Sequence, residues 1–300
     1  MKENQASATA RLIARSMVFL SCDETFKNLV PPQVSEMSKW FVEETGSVAD
    51  RWLLKRMDQK GFRSLLLGFE RISLPGILLH YLLRKLFLEE IARAALREEF
   101  RQVVILGAGF DTLALRLCRE HPKAHFVEID HPMTQCVKQA ALFRRRLKFE
   151  NLVFIPADFS RQNLEQLFSE NPHIKSADDT LIIAEGILMY LTPPKVAALF
   201  ETAHRTFHAK CHFIFTVMEP TKNGQLQFHN ANPMVNLWLR LKTEPFCWGI
   251  SPEDLSDFLN ANGFKLRETA AEQTFRERYL SHLQNSPLAQ GEYIGVAERA

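Results

Sequence analysis

The stretch that most constrains this chain is RQVVILGAGFDT, residues 101–112. Its apolar run Val103 to Leu106 stops at a Gly-Ala-Gly turn and leads into TLALRLCRE, where apolar residues recur at helical spacing. A buried strand ending in glycines at a helix start brings bare backbone against a ligand, because glycine adds no side chain and accepts left-handed dihedrals. A second apolar strand, AHFVEIDHP, ends in acid, with Glu128 and Asp130 placed 21 and 23 residues after Gly107. A carboxylate at that point can accept both hydroxyls of a ribose. The structural alternative is that Gly107 and Gly109 only turn the chain and Asp130 caps the helix ahead of Pro132.

What the turn lacks selects among nucleoside ligands. The dinucleotide fingerprint needs a third glycine where this chain has Thr112, and it sets a diphosphate on the helix N-terminus. Asp111 puts a negative charge beside that diphosphate, which disfavours an NAD-dependent dehydrogenase. S-adenosylmethionine has no phosphate, and its methionyl part is positive at the sulfonium and the amine.

Elsewhere the chain alternates strand and helix. Strands are expected at Val103 to Leu106, His125 to Ile129, Val153 to Pro156, Thr180 to Ala184 and His212 to Val217, with helical periodicity after all but the last. This predicts a doubly wound α/β sheet, parallel through right-handed crossovers, with its ligand at the carboxyl ends of the strands. Two closing strands, about Phe264 to Glu268 and Glu292 to Glu298, fit an antiparallel edge hairpin and bring the sheet to seven. Before it, residues 1–100 read as a helical cap, with helices at Ala6 to Phe19, Gln33 to Glu43, Val48 to Arg56 and Leu78 to Leu96. The single domain of 300 residues thus divides into a cap (1–100), a cofactor-binding core (101–217), a lid insertion (218–250) and a C-terminal helix with closing strands (251–300). The insertion carries Phe228, Trp238, Phe246 and Trp248, which serve equally as a lid or as a local core. After it, Ser251 and Pro252 open a helix that Gly263 ends.

The strand ends carry Gly107 and Gly109, then Asp130, Asp158 in PADFS, Glu185 in AEGILMYL and Glu219 in MEPT. Charges at strand ends must stay solvated or find partners, so an acid after every later strand is not a folding requirement. A helix N-cap explains Asp158 well and Glu185 poorly, since Glu185 precedes Gly186 in an apolar run.

Charge and cysteines exclude other classes. A formal net charge of +2 gives no reason to expect nucleic acid. Five cysteines, with no CxxC, argue for free thiols in a reducing, cytoplasmic setting and against a zinc site. No signal-peptide pattern is read at the N-terminus, and the uncharged apolar stretch Ile72 to Leu83 is too short to span a bilayer.

These residues resemble the leucine carboxyl methyltransferase family, which includes polyketide O-methyltransferases. RQVVILGAGFDT, FVEIDHP with Lys138 after it, PADFS, AEGILMYL, SPEDLSDFLNANGF and EYIGVAER carry the likeness, over about residues 75–298. The resemblance implies a Rossmann-like methyltransferase fold and transfer of a methyl group from S-adenosylmethionine to a carboxylate or hydroxyl of a small molecule or protein terminus. It also implies site roles. Gly107, beside Gly109, would line the methionyl part, Asp130 the ribose, Asp158 and Phe159 the adenine, Glu185 the cofactor amine and Arg84 its carboxylate. The family's second arginine is lost or displaced, since Lys85 and Leu86 follow Arg84.

Methyl transfer from a sulfonium is an in-line displacement that needs placement and exclusion of water, not a metal. A carboxylate acceptor is already ionised at neutral pH, whereas a phenol gains from a base. Tyr190, His229 and His80 are weak candidates for such a contact. The alternative function is a nucleoside-binding module on the same fold without catalysis. Asp130→Ala is expected to abolish cofactor binding while leaving the fold intact.

Overall fold

The computed structural model describes residues 7–45, 47–159, 162, 164–233 and 245–300. Its centre is a seven-stranded sheet: β1 (Gln102–Leu106), β2 (His125–Asp130), β3 (Leu152–Pro156), β4 (Thr180–Ala184), β5 (Cys211–Met218), β6 (Phe264–Ala270) and β7 (Glu292–Arg299). The strand order is 3-2-1-4-5-7-6, with β1 to β5 parallel. Every residue of β1 and β4 is buried, as continuous apolar runs require when helices cover both faces of a parallel sheet. Alternate residues enter opposite cores: Val103 and Ile105 join one, Val104 and Leu106 the other. At the edge, β6 alternates buried and open positions, because one of its faces meets solvent.

The closing strands form the expected antiparallel pair at the edge of the sheet, with the later one on the inside. β7 inserts antiparallel between β5 and β6, pairing His212 with Glu298 and Met218 with Glu292. Glu292 therefore lies beside the carboxyl end of β5, among the strand ends that carry the expected site residues.

The cap consists of α1 (Ala8–Ser21), α2 (Pro32–Glu44), α3 (Val48–Arg56), α4 (Lys60–Ser73) and α5 (Ile77–Arg97). Sequence periodicity missed α4. Gly61 and Gly68 interrupt its pattern, and its apolar Leu65, Phe69 and Ile72 face outward. In the core, α6 (Leu113–Glu120), α7 (Pro132–Arg144), α8 (Leu164–Ser169) and α9 (Pro193–Thr206) cross between strands. α10 (Pro252–Ala261) starts as expected, with Ser251 Oγ accepting from Asp254 N at 3.2 Å. α11 (Glu272–Tyr279) was not foreseen, since Phe275 is its one buried side chain and gives no apolar stripe. No single described helix is long and apolar enough to cross a membrane; α4 and α5 combine that length and apolar character only as a pair, across an 89° bend.

Of the aromatics in the insertion, Phe228 and Trp248 are buried and Phe246 half-buried, so they act as local core. Trp238 and the rest of 234–244 lie outside the described residues. Asn230 ties the insertion to the cap and to the segment before β7 by donating to the carbonyls of Pro75 (3.2 Å) and Leu288 (2.9 Å).

Candidate functional site

The parallel sheet reverses its winding between β1 and β4, and ligands of such sheets bind at that switch point. Gly107 and Gly109 follow β1 with φ of +65° and +51°, left-handed values that glycine adopts without strain. Gly107 N donates to the Ile129 carbonyl at 2.8 Å, which locks the turn to β2. Asp130 Oδ2 accepts from Gly109 N and Oδ1 accepts from His131 N at 2.5 Å. Burial raises its carboxyl above the usual range. Each oxygen keeps a further lone pair for a hydroxyl donor. These bonds also make the Asp130 carboxylate an anchor of the glycine turn.

Glu128 takes no part in that surface. Its side chain is enclosed and its Oε2 lies 2.6 Å from the equally enclosed Nζ of Lys138. Burial pushes the Glu128 carboxyl up to about 7 in spite of Lys138. Lys138 Nζ also donates to the Asp111 carbonyl at 2.6 Å, tying α7 to the glycine loop.

A charge cluster fills the other side of the switch point. Arg84 comes from the middle of α5 and is 3% exposed, so it is not a surface arginine. Its Nε donates to Glu185 Oε1 at 2.9 Å, and its Nη1 donates to Glu292 Oε1 and Oε2 at 2.9 and 2.8 Å. Lys85 Nζ donates to Glu185 Oε2 at 3.1 Å and to Asp111 Oδ2. Lys85 thus takes the place next to Arg84 that the resemblance left open. Burial alone would lower the Lys85 ammonium, but Asp111 and Glu185 hold it above its ordinary value. Asp111 stays far below the usual carboxylate range, since Lys85 and the Leu113 N–H outweigh its burial. Its charge therefore persists beside the turn, although paired with Lys85.

Glu292 and Lys85 were not singled out from sequence. In sequence Glu292 only opens the last closing strand, and the insertion of β7 beside β5 reveals it as 4% exposed. Burial would raise its carboxyl, yet Arg84 and His80 hold it down to about 2. A depressed carboxyl stabilises the fold above its unfolded value near 4.5 and loses that contribution as pH falls towards 2, on the order of 3 kcal/mol in all. Urea unfolding at pH 5 and pH 3 should therefore show a smaller acid loss for Glu292→Gln than for wild type. Equal losses would contradict the paired state of Glu292.

The remaining expected residues divide. Asp158 and Phe159 follow β3 and are half-buried; Asp158 N donates to Gln162 Oε1 at 3.2 Å, and Phe159 packs against the core that holds Ile155 and Ala157. Tyr190 is hydrogen-bonded to Thr9 of α1, and burial raises its phenol. His80 is enclosed, with Nε2 2.7 Å from Glu292 Oε2. His229 is exposed and its Nε2 is bonded to the Glu219 carbonyl at 3.0 Å. The structure thus gives both rings partners other than an acceptor.

Over the turn, α1 closes the cleft: a Cβ at Gly109 would meet Ala10 Cβ at 3.0 Å, and one at Gly107 would meet Ile187 Cδ1 at 2.8 Å. Space remains at Gly186, where an added Cβ would meet only Arg84 Nη2, at 3.7 Å. A cavity of about 300 Å³ lies elsewhere, between α8 and α9, lined by Phe168, Ile174, Arg205 and His208. It shares none of these groups.

The fold is a Rossmann-like, doubly wound α/β sheet whose glycine turn and charge cluster gather at the strand-end switch point. The leucine carboxyl methyltransferase family model matches residues 22–204, more than half of the chain, and the chain belongs to that family. The match takes in cap helices before residue 75 and stops short of α10 and the closing strands. YktD of Bacillus subtilis (strain 168), provisionally assigned as an S-adenosyl-L-methionine-dependent methyltransferase, is 30% identical over 122 residues. That stretch covers 39% of this chain and 38% of YktD. A structure from Thermobifida fusca YX, provisionally assigned as a methyltransferase, has a TM-score of 0.60 at 17% identity, covering 87% of this chain and 94% of that one. At that identity the likeness shows the fold.

Proposed function

We propose that this protein transfers a methyl group from S-adenosylmethionine to a carboxylate oxygen. The observation that carries the reading is the cluster of Arg84, Lys85, Asp111, Glu185 and Glu292 at the switch point. Two cations against three carboxylates leave one formal negative charge. That excess suits a ligand whose sulfonium and amine outweigh its carboxylate, and it repels a diphosphate. The opening at Gly186 beside Arg84 Nη2 supports a fit for the amino-acid end. In this reading Arg84 receives the cofactor carboxylate, Glu185 its amine, Gly107 and Gly109 its methionyl side, Asp130 the ribose hydroxyls, and Asp158 with Phe159 the adenine.

When bound, the cofactor supplies an electrophilic methyl group. The chain's own residues orient it and exclude water, with α1 lying over the glycine turn. A carboxylate acceptor is favoured because the groups considered as bases are committed elsewhere: His80 to Glu292, His229 to a backbone carbonyl, and Tyr190 as a raised, protonated phenol. An acceptor already ionised at neutral pH needs none of them. The five cysteines are free thiols, which suits a reducing compartment such as the cytoplasm.

Incubation with methyl-labelled S-adenosylmethionine and a panel of carboxylic acids and phenols tests this. The expected product is a methyl ester, recognised by release of labelled methanol in base. Label only in base-stable phenol ethers would overturn the carboxylate assignment. Cofactor binding without transfer to any member, with peptide carboxyl termini included, would favour the non-catalytic module.

A further inference from the structure

The second carboxylate on Arg84, Glu292, receives no part of the cofactor in the reading above. Glu292 opens β7, outside the residues matched by the family model, and reaches Arg84 only because β7 inserts next to β5. We propose that Glu292, itself held by His80, is a positioning residue that aims Arg84 at the carboxylate of the cofactor. The proposal rests on the cofactor reading above.

A guanidinium is planar, so fixing two of its nitrogens fixes the direction of the third. Glu185 takes Nε and Glu292 takes Nη1 with both oxygens, at 2.9 and 2.8 Å. Neither carboxylate engages Nη2, and Nη2 is the atom that borders the open space at Gly186. Without Glu292, the buried guanidinium would have Glu185 as its one carboxylate. It could then turn both its ends onto Glu185, the group that receives the cofactor amine, and Nη2 would lose its aim.

His80 completes the chain of support. Its ring lies among Phe228, Phe275 and Tyr81, at centroid distances of 6.3, 5.9 and 6.4 Å, where phenylalanine would pack as well. With its proton on Nε2 it donates to Glu292 Oε2 at 2.7 Å, while its buried Nδ1 finds no hydrogen-bond partner among the described residues. Leaving a buried nitrogen unsatisfied is costly, and a buried ion pair is weak evidence for stability in itself. The single bond to Glu292 is what this histidine accomplishes there. It fixes the carboxylate that fixes Arg84.

The test separates positioning from general structural support by using two ligands. S-adenosylhomocysteine carries the amino-acid end; 5′-methylthioadenosine keeps the adenosine and the sulfur but lacks that end. In calorimetric titrations, Glu292→Gln should weaken S-adenosylhomocysteine by about tenfold and leave methylthioadenosine within about twofold of wild type. His80→Phe, which preserves the ring packing, should show the same selectivity at about threefold. If Glu292→Gln does not fold, His80→Phe and Glu292→Asp carry the comparison, since aspartate is too short to keep both contacts. Equal weakening of both ligands, or no weakening of either, overturns the positioning role. Wild-type protein that binds neither ligand overturns the cofactor reading itself.

Discussion

Replacing Arg84 with alanine should cost about 3–5 kcal/mol of stability, because it removes the partner of two carboxylates that folding has taken out of water. Glu292 is the more exposed to this loss in energetic terms, since its side chain is 1% accessible and would keep only His80. It would then have to take up a proton or draw in water. The loss should therefore shrink at acid pH, where the abandoned carboxyl can be protonated. Urea unfolding at pH 7 and pH 4.5 gives both numbers. A variant within about 1 kcal/mol of wild type at pH 7 would show that the cluster is hydrated and loosely held, contrary to its burial. Affinity for S-adenosylhomocysteine should be lost with the guanidinium in any fraction that folds.

Gly107→Val should abolish cofactor binding. The backbone there sits at φ +65°, a conformation that costs a β-branched residue on the order of 1–3 kcal/mol. The added Cβ would also press on Ile187 Cδ1 at 2.8 Å, and the remaining methyl groups would occupy the strand end itself. Ile187 Cδ1 is the tip of a side chain and can give way, while Ile187 Cβ at 3.2 Å must shift a little, so a folded variant is expected, with its melting temperature lowered. Thermal unfolding followed by titration separates the two effects. Normal affinity in that folded variant would mean that the turn is structural and the ligand lies elsewhere.

The central frame of the fold was readable because its signals are local. Val103 to Leu106 and Thr180 to Ala184 are unbroken apolar runs between turn residues, and burial on both faces is why they read as strands. The Gly107 turn and Asp130 declare themselves through spacing alone, and the structure joins them by a direct bond. What sequence could not show is pairing between distant segments. Glu292 lies 208 residues from Arg84, and no periodicity announces that the last strand enters the sheet between β5 and β6. The same holds for Lys85, whose partners Asp111 and Glu185 come from two other strand ends. α4 escaped for a different reason: Leu65, Phe69 and Ile72 point outward while Leu66 and Leu67 pack on the core, so its apolar residues do not mark a single inward stripe.

The central claim is that the strand-end site receives S-adenosylmethionine rather than a dinucleotide. Calorimetric titration of the wild-type protein with S-adenosylhomocysteine and, separately, with NAD tests it most directly. Pairing of its amine with Glu185 and of its carboxylate with Arg84 predicts saturable binding of one S-adenosylhomocysteine per chain, and the negative excess of the cluster predicts no measurable heat from NAD, whose diphosphate it repels. Saturable binding of NAD, with none of S-adenosylhomocysteine, would contradict the account.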